Sequence, residues 1–183
     1  MTTRTDSGLM DIEAIRERTA NNLELGAVTE SYRGDREGVI RMLNHALATE
    51  LVCVLRYKHH AFVAEGFRAE ACAEEFREHA REEQEHADRL AERIVQLEGD
   101  PDLSPEGLAQ RSHSLYTKGG SLSDMLRDNL VAERIAIETY TAMIRSIGDD
   151  DPTTRRMLED ILAVEEEHAN DLSGLWVDEK KSK

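Results

Sequence analysis

Four long stretches of this 183-residue chain carry apolar residues at helical spacing, and glutamate interrupts each apolar stripe. Residues 37–65 give Leu43, Leu47, Glu50, Val54, Tyr57 and Ala61, in steps of three and four. Residues 70–98 give Cys72, Phe76, His79, Glu83, His86, Leu90, Ile94 and Leu97. Residues 121–147 give Leu126, Asn129, Glu133, Ala136, Tyr140, Met143 and Ile147, and residues 152–176 give Leu158, Ile161, Glu165, His168, Leu172 and Leu175. Stripes of this kind are the seams of helices that face one another. Gly66 ends the first stretch and Gly99-Asp100-Pro101 the second. Gly119-Gly120 precedes the candidate N-caps Ser121 and Ser123, and Gly148-Asp-Asp-Asp-Pro152 separates the last two. The first and third links are short, so each pair of stretches forms an antiparallel hairpin. The middle link is too long for a tight turn and suits a crossover along the bundle. The predicted fold is an all-α four-helix bundle of two antiparallel hairpins.

The interrupting glutamates share one level. Counted from the centre of its hairpin link, Glu50 lies 17.5 residues back, and Glu83 and His86 lie 15.5 and 18.5 forward. In the second hairpin Glu133 lies 17 back, and Glu165 and His168 lie 15 and 18 forward. The halves repeat one another, and Tyr57 and Tyr140 each follow their glutamate by seven residues. Four ionised carboxylates facing one another in a dry core would repel and lose hydration, at several kcal/mol per ion. They would protonate or disrupt the layer unless cations entered it. Two divalent ions balance the four negative charges, and oxygen-rich ligands with one imidazole per metal suit iron or manganese.

Composition narrows the rest. With 38 acidic against 23 basic residues the formal charge is -15, which argues against gripping a nucleic-acid backbone or an anionic membrane. No uninterrupted apolar run approaches the ~20 residues of a membrane span, and no signal-peptide core follows Met1. The two cysteines, Cys53 and Cys72, form no CxxC pair, which removes a thiolate metal knuckle and fits a reducing cytoplasm. They differ in level by about ten residues, or ~15 Å of helix, too far for a disulfide. Residues 1–36 read as an N-terminal arm with a short helix near Met10-Asp-Ile-Glu, either packing on a neighbour or partly mobile. Residues 37–176 are the bundle, and 177–183 a solvated tail ending Lys180-Lys181-Ser182-Lys183.

The stretches Leu43-Asn-His-Ala-Leu-Ala-Thr-Glu50-Leu-Val, Glu83-x-x-His86-Ala-Asp-Arg, Leu126-Arg-Asp-Asn-Leu-Val-Ala-Glu133 and Glu165-Glu-Glu-His168 resemble those of the ferritin-like di-iron proteins, and bacterioferritins most closely. The resemblance implies a ferritin-like bundle and two irons per subunit, with manganese as the other metal the set permits. It implies Glu50 and Glu133 as terminal ligands, Glu83 and Glu165 as bridges, and His86 and His168 as one nitrogen ligand per iron. Tyr57 matches a tyrosine that can act as a redox neighbour. The implied activity is that of a ferroxidase in iron storage or detoxification, oxidising Fe(II) with dioxygen or hydrogen peroxide in a homo-oligomeric cage.

Two departures matter. Gln84 stands where bacterioferritins place a haem-binding methionine, so no haem is expected. Only fifteen residues follow His168, which leaves little room for the fifth helix of a 24-subunit shell. The short C-terminus and the arm resemble the twelve-subunit Dps cages instead. A non-storage di-iron or di-manganese peroxidase or catalase is the alternative activity, and a nucleic-acid-shielding cage has only the terminal lysines in its favour. His79 is expected as a hydrogen-bonded core histidine, with transit-iron binding as the alternative. Tyr140 is expected to pack, Asn129 to pack or orient a ligand, and His45, His59, His60 and His113 to lie on the surface.

Overall fold

The computed structural model describes residues 11–21, 23–66 and 69–181, and every regular element among them is helical. A short α1 (Ile12–Thr19) and a 3-10 turn (Leu23–Leu25) precede the long α2 (Arg36–Val63) and α3 (Ala69–Gln96). The crossover contains α4 (Leu108–Arg111), and α5 (Leu122–Ile147) and α6 (Pro152–Lys181) complete the chain. Local chemistry sets the helix starts. Asp35 accepts from the Gly38 amide at 2.9 Å ahead of α2, and Ser121 and Asp124 cap each other's amides at the head of α5. Asp151 accepts from the Thr154 amide at 2.9 Å, with Pro152 in the first turn of α6.

Helices α2, α3 and α5 begin and end within two residues of the expected bounds. The residue that leaves α3 in a left-handed conformation is Glu98 (φ 61), not Gly99. Gly99 serves close packing instead, since a Cβ there would lie 2.8 Å from Ile40 Cγ2. Helix α6 runs five residues past its expected end, to Lys181, and this segment, though helical, is largely exposed. Nothing between Trp176 and Lys181 breaks a helix, Lys180 Nζ sits 3.5 Å from the centroid of the Trp176 ring, and Lys181 faces Asp178 at 3.8 Å. Ser182 and Lys183 lie outside the described residues, as does Met10 at the start of the expected arm helix. The arm helix α1 buries none of its residues. Further along the arm, Val28 and Tyr32 pack against the bundle's own core, and the Tyr32 hydroxyl donates to Asp151 Oδ2 at 3.1 Å.

The crossover descends α2 as a strap. Asn44 bonds Asp100 and Asp102, and the Thr49 hydroxyl accepts from the His113 amide. Arg56 donates to Ser114 and Leu115, and His60 bonds the Thr117 carbonyl. From Asn44 to His60 that is ~24 Å of helix rise. Helix α2 is the one described helix apolar enough to cross a membrane by length and composition, with a window mean hydropathy of 1.4. Its buried face carries Glu50, Arg56, Tyr57 and His60, so the composition is that of a core helix wrapped by its neighbours. Two apolar clusters fill the bundle. One is built around Leu43, Leu90, Ile94, Met143 and Leu158, and the other around Phe76, Cys72, Leu122, Leu126 and Leu172. A polar layer lies between them.

Candidate metal centre

Each of the four long helices delivers its interrupting residues to this layer. Glu50 comes from α2, Glu83 and His86 from α3, Glu133 from α5, and Glu165 and His168 from α6. All six are at most 3% exposed. Their donor atoms form two overlapping quartets, Glu50–Glu83–His86–Glu165 and Glu83–Glu133–Glu165–His168, with the donors of each within 4.8 Å of one another. Glu83 and Glu165 belong to both. His86 Nδ1 lies 3.0 Å from Glu165 Oε1, 3.3 Å from Glu83 Oε2 and 3.9 Å from Glu50 Oε2. His168 Nδ1 lies 3.6 Å from Glu165 Oε2, and 3.9 Å from both Glu83 Oε1 and Glu133 Oε2.

The layer lacks donors. Glu83 Oε1, both Glu165 oxygens and His168 Nδ1 are buried with no hydrogen-bond partner among the described residues. Lone pairs turned on one another in a dry site are what a cation satisfies. The electrostatics agree. Burial, followed by the charges of Glu83 and Glu165, pushes the Glu50 carboxyl well above its ordinary range. Burial and neighbouring carboxylates do the same to Glu83 and Glu133. At Glu165 burial also raises, but the imidazoles of His168 and His86 close beside it outweigh burial and hold this carboxyl below its ordinary range. Burial alone would lower His168; Glu165, Glu83 and Glu82 reverse that and push it up to about 9. Without metal, burial and mutual repulsion favour the neutral form at Glu50, Glu83 and Glu133, and the flanking imidazoles favour the charged form at Glu165.

The tyrosines cross-link the hairpins. Tyr57 on α2 donates to Glu133 Oε1 on α5, and Tyr140 on α5 donates to Glu50 Oε1 on α2. Tyr140 packs in the core as expected and also steadies Glu50. Its spacing from Glu133, equal to that of Tyr57 from Glu50, is the sequence signal for this role. His79 is buried and hydrogen-bonded, with Nδ1 3.1 Å from the Tyr57 hydroxyl and its ring stacked on His168 at 4.0 Å between centroids. Glu82, which the sequence did not single out, lies 2.7 Å from His168 Nε2 and fixes that ring from outside the layer.

A second buried polar group lies beside the layer. Arg56 is fully buried and donates to Asn129 Oδ1 at 2.8 Å, Ser114 Oγ at 2.8 Å and the Leu115 carbonyl at 3.1 Å. Asn129 thus orients Arg56 and, at 3.0 Å, His60, and hydrogen-bonds none of the six residues of the layer. His60 is not on the surface as expected. The crossover covers it, and burial followed by the nearby Arg56 lowers its pKa to about 4. Arg56 flanks the stripe between Cys53 and Tyr57, and a single arginine within the apolar stretch 42–57 is the signal that could have found it. Cys53 and Cys72 are both buried and unbridged.

Residues 40–181 match the family described as "Ferritin-like domain". The bacterioferritin of Mycobacterium avium is 31% identical over 137 residues, covering 74% of this chain and 81% of the relative. The bacterioferritin of Rhodobacter capsulatus is 30% identical over 141 residues, covering 75% and 81%. Among solved structures, a dodecameric thioferritin, the bacterioferritin-related protein of Bacteroides fragilis, superposes with a TM-score of 0.78 at 35% identity, over 81% of this chain and 89% of that one. Dps from Thermosynechococcus elongatus, at 20% identity and a TM-score of 0.73 over 76% and 90%, shares the fold.

Proposed function

The chain belongs to the ferritin-like family, and on that premise we propose that it is an iron storage and detoxification protein whose polar layer is a ferroxidase centre. The observation that carries this reading is the pair of quartets sharing Glu83 and Glu165. In it, Glu50 with His86 holds one Fe(II), Glu133 with His168 holds the other, and Glu83 and Glu165 bridge them. Iron is the substrate. Two Fe(II) held together give up two electrons at once and become two Fe(III), and with two protons from solvent these reduce dioxygen to hydrogen peroxide or hydrogen peroxide to two waters, so no one-electron oxygen radical is released. The protein supplies charge balance and geometry. Metal binding displaces the protons that burial retains on Glu50, Glu83 and Glu133. Tyr57, whose proton is donated to Glu133, steadies that ligand and stands as a redox neighbour of the layer. The ligand set also accepts manganese, and Gln84 offers no haem axial ligand.

The reading extends to assembly. Phe62 is 83% and Leu115 76% exposed, and Leu55 and Val131 are also largely uncovered, on the α2, crossover and α5 side of the bundle. Large exposed apolar side chains in such number mark subunit interfaces. Together with the dodecameric Bacteroides fragilis relative, they support a twelve-chain shell in the cytoplasm.

The test is stopped-flow oxidation of Fe(II) by dioxygen and by hydrogen peroxide. Glu83→Ala and Glu165→Ala each remove a carboxylate shared by both quartets, and rapid oxidation should be lost in both. Wild-type rates in the two variants would defeat the proposal.

A further inference from the structure

The two hairpins repeat the layer and its tyrosines, but not its surroundings. Matching each residue to its counterpart in the other hairpin pairs His79 with Ile161, Glu75 with Met157, and Asp171 with Arg89. One end of the pseudo-symmetric layer therefore carries a polar cluster where the other carries apolar and basic side chains. Glu75, His79 and Asp171 lie on the α3–α6 face, with ligand-type atoms all within 4.8 Å of one another. Glu75 is half-buried, Asp171 exposed and His79 2% exposed, so the cluster leads from solvent into the bundle.

The hydrogen-bond relay fixes which way the buried imidazole works. Tyr57 has one hydroxyl proton and donates it to Glu133, so its oxygen accepts from His79 Nδ1–H at 3.1 Å. In the neutral ring the lone pair is then on Nε2. That atom lies 3.3 Å from Glu75 Oε1, with Asp171 beside it. A buried acceptor thus faces two carboxylates, an arrangement that a cation between them satisfies.

We propose that Glu75, His79 and Asp171 form a third divalent-cation site, weaker than the layer, through which ions pass between solvent and the Glu133–His168 half of the centre. One nitrogen and two carboxylate ligands, completed by water, suit Fe(II), Mn(II) or Co(II). The passage role rests on the layer binding metal. The stacked rings carry the path inward, since His79 abuts His168, which belongs to the inner quartet.

Anaerobic titration of the assembled protein with Co(II), followed by calorimetry and visible absorption, tests this. Wild type should bind three cobalt ions per chain. Glu75→Gln with Asp171→Asn should bind two, with the affinities of those two unchanged. The charge-matched control, Glu74→Gln with Glu78→Gln on the same helix, should keep three. In iron oxidation the Glu75/Asp171 double variant should need several-fold more Fe(II) for half-maximal rate and keep the same maximum. Two ions in wild type, three in the double variant, or an equal loss in the control each overturn the third site and leave the ferroxidase reading standing. Fewer than two ions in wild type overturns both.

Discussion

Glu165 keeps its charge between two imidazoles, while Glu50, Glu83 and Glu133 are driven toward the neutral form by burial and by one another. The metal-free fold therefore binds more protons than the unfolded chain at pH values above the ordinary carboxyl value of 4.5. His168, raised to about 9 from 6.5, acts in the same direction. A group raised in the folded state contributes stability that is lost as pH climbs through its folded value. Glu165 has the opposite sign, and its contribution disappears only as pH falls below the ordinary range. The metal-free protein should thus melt at lower temperature at pH 8 than at pH 5.5, and a divalent cation should abolish that slope. Glu83→Gln should flatten it and stabilise the metal-free protein at pH 8 by about 1–3 kcal/mol. Thermal melts with and without Co(II) check both, and a variant less stable than wild type without metal would contradict the account. These six residues were legible because a charged residue on an apolar stripe violates the pattern, and four violations coincide in level. The tyrosine bonds were half legible, since spacing paired Tyr57 with Tyr140 but could not reveal that each reaches the opposite hairpin's glutamate.

Among the elements, the four long helices were readable from periodicity and their breaks, whereas the crossover was not. Its path is set by polar side chains of α2 that belong to no stripe, namely Asn44, Thr49, Arg56 and His60. A sequence reading sends such residues to the surface by default, which is why His60 was misplaced and Arg56 overlooked. The end of α6 was missed for a related reason, because a lysine-rich terminus looks solvated whether or not it is helical. Arg56 is the residue on which the strap depends. Replacing it with methionine keeps the volume but leaves Asn129, Ser114 and the Leu115 carbonyl without their donor in a buried site. The expected cost is about 3–5 kcal/mol in urea unfolding, with faster amide exchange at residues 112–117. A loss below about 0.5 kcal/mol, or unchanged exchange in that segment, would mean the strap is held by its other bonds alone.

At the scale of the whole molecule, the centre and the shell make separable demands on one chain. The centre needs only the interior of a single bundle, because both quartets are assembled from the four helices of one chain. The proposed shell needs the outer face, where Phe62, Leu55, Leu115 and Val131 are uncovered. A substitution on that face should therefore dissolve the assembly and spare the chemistry. Phe62→Glu places charge on the most exposed of these side chains, near the end of α2 and away from the layer. Light scattering should find wild type as a closed particle of about 250 kDa, twelve copies of a 20.7 kDa chain, and the variant as much smaller species. Both should bind two Co(II) tightly per chain and oxidise the first two Fe(II) per chain at similar rates. Only the closed particle should retain iron far beyond that number, because mineral needs a cavity that a lone bundle does not enclose. A small wild-type oligomer that holds two metals per chain and no more would favour a non-storage di-metal enzyme on the same centre. Loss of rapid oxidation on dissociation would mean that the centre borrows a residue from its neighbour, contrary to the geometry of a single chain.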